Sequence, residues 1–379
     1  MQPVTDHFDA LDAQRSTTLA RSAGVDTLAA PRTATEITDV ALRPRQRIGG
    51  LDALRGIAAL GVLLYHYTSN YQRLFGHRGQ PLFSLHWGAL GVQLFFIISG
   101  FVIFMTLEKT RRPIDFVRSR FARLFPVYWA AIALTLVVLT LFPLAGRHVS
   151  PARALVNLTM CQELFGVGHI DPVYWTLQLE LCFYAIMLVL FGAGQLRRAE
   201  WYLLALVALC ELKSYWLPAS GPLMMNHPAL ARVMGRLETL LVLDHIHVFL
   251  IGIMLYRIHK QPKVWHVAVI GLCLAHSLMW EPRLDFVMTI VFTAGVYAAA
   301  RGLLRPLQNP ALVFLGLISY SLYLTHQNIG YVVIRAVESK GGSPNVAIAA
   351  ATVLALLIAT ALTFCIERPA LQFLRPKKA

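Results

Sequence analysis

Long apolar stretches recur along almost the whole of this chain, and they constrain its fold more than any other feature of the sequence. An α-helix rises about 1.5 Å per residue, so a run of about seventeen or more apolar residues can cross most of a hydrocarbon layer that is about 30 Å thick. Only 14% of the 379 residues are charged, against about 25% in a typical soluble domain. The sequence therefore predicts an all-α, polytopic membrane protein.

We predict ten transmembrane helices, and we interpret 149–165 as a loop that carries an interfacial helix. If both termini are cytoplasmic, the cytoplasmic segments hold 23 Lys and Arg residues and the opposite loops hold 10. Basic residues accumulate on the cytoplasmic side of a membrane, so this orientation is favoured. The predicted spans are 51–70, 88–107, 124–144, 172–193, 199–216, 239–258, 264–280, 284–300, 311–334 and 344–366.

The spans lie within one predicted domain, 50–369, which is flanked by two tails. Residues 1–49 lack an apolar stretch of signal-peptide length and mix charged, hydroxyl and proline residues, so we expect a flexible cytoplasmic tail. Residues 370–379 form a short basic cytoplasmic tail. The net charge of +14 does not indicate nucleic acid, because the basic residues cluster between apolar runs. The five cysteines have no paired spacing and predict neither a disulfide framework nor a zinc site.

Polar residues inside the spans predict a chamber, because ionisable side chains in a membrane are costly and usually face a cavity or a partner. Arg55 and His66 are eleven residues apart, about three helical turns, so they project from nearly the same face of the first span. Arg55 is then near the cytoplasm and His66 lies about 16 Å further along the helix axis, in the outer half. Other polar residues expected to line this chamber, mostly in its outer half, are Gln93, Ser99, Trp175, Thr176, Gln178, Glu180, Asp244, His245, His247, Ser319, Tyr320, Ser321, Tyr323, Thr325 and His326.

A second polar group is expected on the cytoplasmic side. Arginine side chains suit phosphate oxygens and also pair with carboxylates. A polyanion would bind here, beneath a chamber suited to acid–base chemistry. The members of the group are Asp52, Arg55, Arg118, Arg120, Arg123, Glu367 and Arg368.

Six short motifs follow one another between Gly50 and Pro369. They are Leu51–Ala59 followed by His66, Gly91–Phe101, Arg120–Pro126, Trp175–Glu180 with Phe183 and Tyr184, Ser319–Leu324 with His326, and Glu367–Pro369. In this order and at these separations, they resemble the motifs of the acyltransferase-3 family of integral-membrane O-acyltransferases. The match departs at Gln93, where members of that family often carry an acidic residue.

The resemblance implies an enzyme of the bacterial inner membrane that moves an acyl group, usually acetyl, from cytoplasmic acyl-CoA to a sugar hydroxyl. The acceptor would be an envelope polysaccharide, a lipopolysaccharide or a glycolipid. The implied partners are acetyl-CoA or another acyl-CoA, a glycan or lipid-linked glycan acceptor, and membrane lipid. No metal is expected.

The resemblance also assigns catalytic roles. His66 is the first choice for the general base, because an imidazole titrates near working pH. Alternatives are an acyl-imidazole or an acyl-serine at Ser99 or Ser321, and a purely structural role for His66. Glu180 would orient His66 or the acceptor sugar, or would make a structural hydrogen bond.

Binding roles follow in the same way. Arg55, Arg120 and Arg123 are expected to bind CoA, although arginines in such positions can also be simple cytoplasmic charges, and Arg55 could pair with Asp52 or Glu367. Glu367 and Asp52 are expected to be structural charge partners. The expected substrate-binding residues are Trp175, Tyr323, His326, Ser99 and Gln93.

Other interpretations stay open from the sequence. Asp244, His245 and His247 could bind a metal, line the acceptor site or simply pack. A transporter or flippase for a glycosidic or acylated solute could use the same polar chamber as its path. An acyltransferase acting on a lipid or a small-molecule antibiotic is a third possibility.

Overall fold

The computed structural model describes residues 48–374, without the side chains of 217–225. Almost all of the predicted N-terminal tail and the last five residues of the C-terminal tail lie outside this part of the chain. All regular structure within it is helical, and it contains no strand.

The described residues form fourteen α-helices, which are joined by short 3₁₀ and π-helical segments. A π-helical turn, His66–Asn70, links the first two helices, and a second, Thr363–Glu367, links the last two. In chain order the α-helices are α1 (Gly49–Tyr65), α2 (Tyr71–Leu74), α3 (Gly91–Leu107), α4 (Pro113–Leu141), α5 (Pro151–Asn157), α6 (Trp175–Gly192), α7 (Ala199–Asn226), α8 (Pro228–Leu241), α9 (Ile246–Lys260), α10 (Val264–Trp280), α11 (Arg283–Ala300), α12 (Pro310–Ser339), α13 (Pro344–Leu362) and α14 (Arg368–Leu374).

Each of the ten predicted spans falls on helix, and six helical segments are long and apolar enough to cross a membrane. Helix α10 is apolar but one residue shorter than this length requires. The described part of the chain is therefore all-α, with six helical segments that are suited to span a membrane. The six segments are His86–Leu107, Pro113–Leu141, Pro172–Gly192, Pro228–Lys260, Arg283–Ala300 and Pro344–Leu374.

One of the predicted spans is interrupted in the structure. The predicted span 239–258 is broken, because α8 ends at Leu241 and Val242 takes a left-handed conformation with φ 56° before α9 begins. The range 217–238, predicted as a loop, is mostly helical instead, in the end of α7 and in α8. No glycine or proline marks the break, and a positive φ is rare for a β-branched residue. Tertiary packing decides this turn.

Helix starts follow local sequence rules. Proline is favoured in the first helical turn, because its missing N–H would have no partner there and its φ is already helical. Three of these starts are also capped: the Ser150 side chain accepts a hydrogen bond from the Arg153 N–H, Asn309 accepts one from Leu312, and Ser343 accepts one from Val346. Helices with proline at the start are α4, α5, α8, α12 and α13.

Helix α12 is the centre of the bundle. Every residue from Ile318 to Tyr331 is buried, and the helix packs most extensively against α1 and α13. Helix α3 packs mainly against α9. The buried apolar side chains fall into two clusters, one that includes α3, α6 and α9, and one between α1, α12 and α13.

Glycines allow α1 and α12 to approach closely. A Cβ atom at Gly56 would lie 2.7 Å from the Leu312 carbonyl oxygen and 2.8 Å from the Gly316 nitrogen. A Cβ atom at Gly316 would collide with the Asp52 carbonyl oxygen. Small residues at a membrane helix interface let backbones come together in this way. The contact aligns the polar faces of α1 and α12.

Candidate active site

One cavity lies between α1, α3, α4, α6 and α12. It holds about 770 Å³ of space free of protein atoms, part of which is open to solvent. Its polar lining comes from all five helices, so the packing of the bundle sets its chemistry. The polar lining residues are Arg55, Ser99, Arg120, Arg123, Thr176, Glu180, Tyr184, Ser319, Tyr320 and Tyr323.

Three arginines line this cavity together, as the sequence predicts for its cytoplasmic group. The Nε atoms of Arg55 and Arg120 are buried without a hydrogen-bond partner in the described structure. The Arg120 guanidinium lies 5.7 Å from the centre of the Phe116 ring and 5.9 Å from that of Tyr184, where cation–π attraction orients it. A buried donor without a partner is costly, so both arginines are suited to an anionic ligand.

The third arginine has a carboxylate partner. Arg123 donates to Glu367, whose side chain is almost fully buried, and it also lies over the Tyr320 ring. Ser321 donates to the other Glu367 oxygen at 3.4 Å. The Ser321 hydroxyl also lies 2.9 Å from Thr363 Oγ1, so Ser321 is engaged in packing α12 against the second π-helical turn.

Glu180 forms a separate group in the cavity wall. Its Oε1 accepts hydrogen bonds from Ser99 Oγ at 2.8 Å and from the Tyr184 hydroxyl at 2.5 Å. Because α6 turns Glu180 toward α3, the described contacts of this carboxylate do not include His66. Of the two candidate serines, Ser99 is thus the one beside a base and facing the cavity.

His66 and His326 form a pair between α1 and α12. His66 Nδ1 lies 3.1 Å from His326 Nε2 and 2.8 Å from the Val62 carbonyl oxygen. His326 Nδ1 faces the Tyr323 carbonyl oxygen at 2.9 Å. A carbonyl oxygen only accepts, so each Nδ1 carries a proton, and the single Nδ1 proton of His66 is shared between the Val62 carbonyl oxygen and His326 Nε2. His66 Nε2 is then the unprotonated nitrogen and is available as a base.

The histidine pair lies beyond the end of the cavity. Neither ring lines the cavity, whereas Tyr323, one turn before His326, does. The Tyr323 and His326 rings are 5.7 Å apart between centroids. The arginines and the histidines are therefore at opposite ends of one polar track along α1 and α12, and Tyr323 lies between them.

The residues of this site lie in a part of the chain that matches a known protein family. A family model described as an acyltransferase domain, that of the acyltransferase-3 family, matches residues 48–364. The chain belongs to this family. It is therefore a membrane acyltransferase.

Three relatives are similar to this acyltransferase over different shares of its length. The exopolysaccharide production protein ExoZ of Rhizobium meliloti (strain 1021) is 28% identical over 304 residues, 75% of this chain and 90% of ExoZ. A protein of Komagataeibacter xylinus, provisionally named the membrane-bound transacylase BcsY, is 27% identical over 164 residues, 39% of this chain and 38% of BcsY. Protein 2 in the picA locus of Rhizobium radiobacter is 38% identical over 96 residues, 24% of this chain and 45% of the relative. No solved structure matches the acyltransferase.

Gln93, Trp175 and Asp52 also lie away from the cavity lining. Gln93 faces α11, where Thr289 donates to its amide oxygen at 3.1 Å. Trp175 is 37% exposed and packs against Phe96 and His245 instead. The Asp52 carboxylate has no ion-pair partner in the described structure, whereas the Asp52 backbone packs against Gly316.

The three residues that the sequence left open as a metal site, Asp244, His245 and His247, make separate contacts. Asp244 pairs with Lys213, and His247 Nε2 lies 3.1 Å from Glu281 Oε1. His245 packs against Phe96 and Trp175. Within residues 48–374, no three His, Cys, Asp or Glu side chains are arranged to hold a metal. These residues lie around the N-terminal ends of α6 and α9.

Sequence reasoning missed the residues that hold the histidine pair in place. Tyr67 donates from its hydroxyl to the His326 carbonyl oxygen at 2.7 Å, and its own carbonyl oxygen lies 3.0 Å from His77 Nε2. His77 Nδ1 lies 2.6 Å from Glu338 Oε1, and both side chains are buried. Because both ring nitrogens face acceptors, His77 bridges α12 to the turn that follows His66. The sequence did contain a signal for such residues, namely polar side chains such as His77 just beyond a predicted span.

Asp171 is a second residue of this kind. Its carboxylate accepts backbone hydrogen bonds from Val173, at the start of the helical segment before α6, and from Asn328 in α12. Burial raises the pKa of Asp171 to about 6, and these two hydrogen bonds offset part of that effect. An Asp directly before Pro172 is a helix-cap signal that the sequence does contain.

Proposed function

We propose that this acyltransferase moves an acetyl group from cytoplasmic acetyl-CoA to a hydroxyl of an envelope polysaccharide, lipopolysaccharide or glycolipid. The observation that carries the proposal is the polar track along α1 and α12. At one end are two arginines whose buried Nε atoms have no hydrogen-bond partner among the described residues, and at the other end is a histidine pair. We further propose ten membrane spans in the bacterial inner membrane with both termini cytoplasmic. The arginines then face the compartment that holds acetyl-CoA.

Arg55, Arg120 and Arg123 are the proposed donor site. A CoA thioester carries several phosphate charges, and guanidinium groups bind phosphate oxygens through paired hydrogen bonds. The buried, unpartnered Nε atoms of Arg55 and Arg120 would gain acceptors on binding. The apolar walls of the cavity, such as Val102 and Ile103, suit the arm that leads from the phosphates to the thioester.

His66 is the proposed general base. Its Nε2 takes the proton from the acceptor hydroxyl as that oxygen attacks the thioester carbonyl carbon. The resulting tetrahedral intermediate breaks its C–S bond, and the departing thiolate takes the proton from His66. The products are the acetyl ester and free CoA thiol, and His66 returns to its starting state. His326 positions the His66 ring by accepting from Nδ1.

A covalent route through Ser99 is the alternative that a contact supports. Ser99 donates to Glu180 at 2.8 Å, so a carboxylate is placed to take its proton, and both residues line the cavity. We favour direct transfer. An acyl-serine at Ser99 would form inside the cavity, away from the histidine pair, and the pair would then have no role in its formation. Ser99→Ala should then lose no more than about 10- to 150-fold of the transfer rate, the equivalent of the roughly 1.5–3 kcal/mol that a hydrogen bond to a charged group contributes.

The glycan acceptor is supported by the relative that matches over most of its length. ExoZ is named as an exopolysaccharide production protein, and this chain covers 90% of it. Trp175, exposed at the outer end of α6, is a surface on which a sugar ring can stack.

The proposal is tested by transfer of radiolabelled acetyl from acetyl-CoA to envelope glycan in membranes that carry the wild type or His66→Ala. We expect label in the wild-type glycan and a loss of about 100- to 10,000-fold in the variant, the range of general-base contributions. Equal amounts of folded protein are confirmed by size-exclusion chromatography in detergent.

Other outcomes separate the alternatives. Undiminished transfer by His66→Ala would contradict the assignment of the base. A loss in Ser99→Ala as large as that in His66→Ala, with label bound to wild-type protein, would favour the covalent route. No label with any sample and any envelope fraction would contradict the donor and acceptor proposed here.

A further inference from the structure

We propose that Phe95 and Tyr323 form an aromatic gate between the arginine cavity and the histidine pair, and that the Phe95 ring limits the transferred acyl group to about the size of acetyl. This inference rests on the proposed function. It assigns the selection of acyl chain length to Phe95, which is not one of the proposed catalytic residues.

The first observation is where the cavity stops. Phe95 and Tyr323 both line it, but His66 and His326 do not. A thioester bound by the arginines must therefore pass these rings before its carbonyl carbon can meet an acceptor oxygen held at His66 Nε2.

The second observation is the geometry of the two rings. Their centroids are 5.8 Å apart with an interplanar angle of 73°, so the edge of one ring meets the face of the other. Such a contact is favourable and leaves little space between the rings. Tyr323 is held in place because its hydroxyl lies 2.9 Å from Thr176 Oγ1 and its ring contacts His326. No polar contact holds Phe95, so Phe95 is the ring that moves.

The third observation is the position of Phe95 in the core. Its side chain packs against both hydrophobic clusters, the one around the cavity and the one that contains Leu63 and Tyr67 beside His66. Phe95 thus lies on the boundary between the two halves of the track. A side chain there sets how wide the passage is.

The placement of the Phe95 ring limits the length of the acyl group that can pass. A two-carbon acetyl group needs only a small displacement of the Phe95 ring, whereas each further methylene must displace the ring more. In a tightly packed apolar site, one methylene changes the rate by about 10- to 200-fold. Replacing the ring with a small side chain removes the restriction and leaves the arginines and histidines in place.

The test compares transfer from radiolabelled acetyl-CoA and butyryl-CoA by membranes that carry the wild type, Phe95→Ala or Phe95→Leu. The wild type should prefer acetyl by at least about tenfold, the lower limit for one methylene. Phe95→Ala should reduce that preference at least tenfold, chiefly through faster butyryl transfer, and Phe95→Leu should give an intermediate value. The graded leucine variant keeps the test valid if the alanine variant folds poorly.

Phe96→Ala is the matched control for cavity size. Phe96 also lines the cavity, but its ring stacks on Phe249 in α9, 4.7 Å away between centroids, and not on Tyr323. The acetyl-to-butyryl ratio should therefore stay at the wild-type value in Phe96→Ala.

The outcomes distinguish this inference from the proposed function. If the wild type and the Phe95 variants all transfer acetyl and have the same acetyl-to-butyryl ratio, the gate is wrong and the transferase proposal stands. An equal change in Phe96→Ala would mean that cavity volume sets the preference and would also overturn the gate. If the wild type transfers neither group, the proposed function fails and the gate fails with it.

Discussion

At the scale of single residues, the Arg123–Glu367 pair sets the charge of the cavity. Glu367 is buried and neutralises one of three arginines, so two guanidinium groups stay available for a ligand. A buried pair of this kind adds little stability over an apolar pair, but the loss of one partner leaves an uncompensated charge. The pair therefore acts on both stability and binding.

Glu367→Gln should destabilise the protein by up to about 3 kcal/mol, because the charge of the partly buried Arg123 loses its partner. Thermal unfolding of the detergent-solubilised protein measures the change. The double variant Arg123→Gln/Glu367→Gln, in which both charges are gone, should recover part of the loss. A double variant that is as unstable as the sum of the single variants would show that the two side chains are not coupled.

Arg120→Gln should raise the KM for acetyl-CoA by about 10- to 100-fold, since a charge-assisted hydrogen bond contributes about 1.5–3 kcal/mol. The matched control is Arg118→Gln. The sequence groups Arg118 with the cavity arginines, but its side chain is exposed and does not line the cavity. KM is measured with acceptor in excess, and equal KM values for the two variants would contradict a donor site at Arg120.

The sequence predicts the chemistry of the site better than its contacts. The spacing of Arg55 and His66 follows from helical periodicity alone, and both lie on the track that the structure contains. The partners of Glu180 and Gln93 depend on how α6 and α3 are rotated. Polar residues spread around each helix do not specify that rotation, so neither the Ser99–Glu180 bond nor the turn of Gln93 toward α11 was predictable.

At the scale of helices, the close contact between α1 and α12 brings the histidines together. The contact needs glycine at Gly56 and Gly316, because side chains there would meet the opposite backbone. His66 and His326 lie about two to three turns beyond this contact. A small separation of α1 from α12 at the glycines therefore becomes a larger separation between the two imidazoles.

Gly316→Val should abolish transfer and lower the stability of the protein, because the added side chain collides with the Asp52 carbonyl oxygen. Overpacking typically costs about 1–3 kcal/mol. Gly271→Ala is the control, since a Cβ atom there has no other atom within 4 Å. Thermal unfolding and acetyl transfer are measured on both variants, and full activity in Gly316→Val would show that the close approach is not needed.

The helices themselves were largely predictable, and the exception is instructive. Apolar runs located helix at all ten predicted spans because a membrane helix needs a long apolar surface. The break at Val242 left no trace in hydropathy or in turn residues, so α8 and α9 could not be separated. Only packing against neighbouring helices supports a valine with a positive φ.

At the scale of the whole molecule, the polar track runs along α1 and α12 from the arginine cavity to the histidine pair. Our proposed topology places the loop between α4 and α5 outside and the loop between α6 and α7 inside. Both loops have an exposed alanine, Ala145 in the first and Ala193 in the second. These two positions are suited to a direct test of orientation.

Ala145→Cys should react with a membrane-impermeant maleimide in intact cells, whereas Ala193→Cys should react only after the membrane is opened. The background should lack Cys161 and Cys365, because neither side chain is fully buried. Labelling is measured by the shift of the protein on a gel. Reaction of Ala193→Cys in intact cells would invert the topology and move the arginine cavity away from cytoplasmic acetyl-CoA.

The π-helical turn at His66–Asn70 determines where α1 can tolerate a change of length. A π turn contains one surplus residue relative to the α-helical repeat, and here the surplus follows His66 immediately. An insertion between Arg55 and His66 would rotate the imidazole by about 100° and remove it from His326. A deletion within the turn would instead convert it to regular α-helix and leave both residues in phase. Length variation among related chains is therefore expected after His66, and not in the ten positions before it.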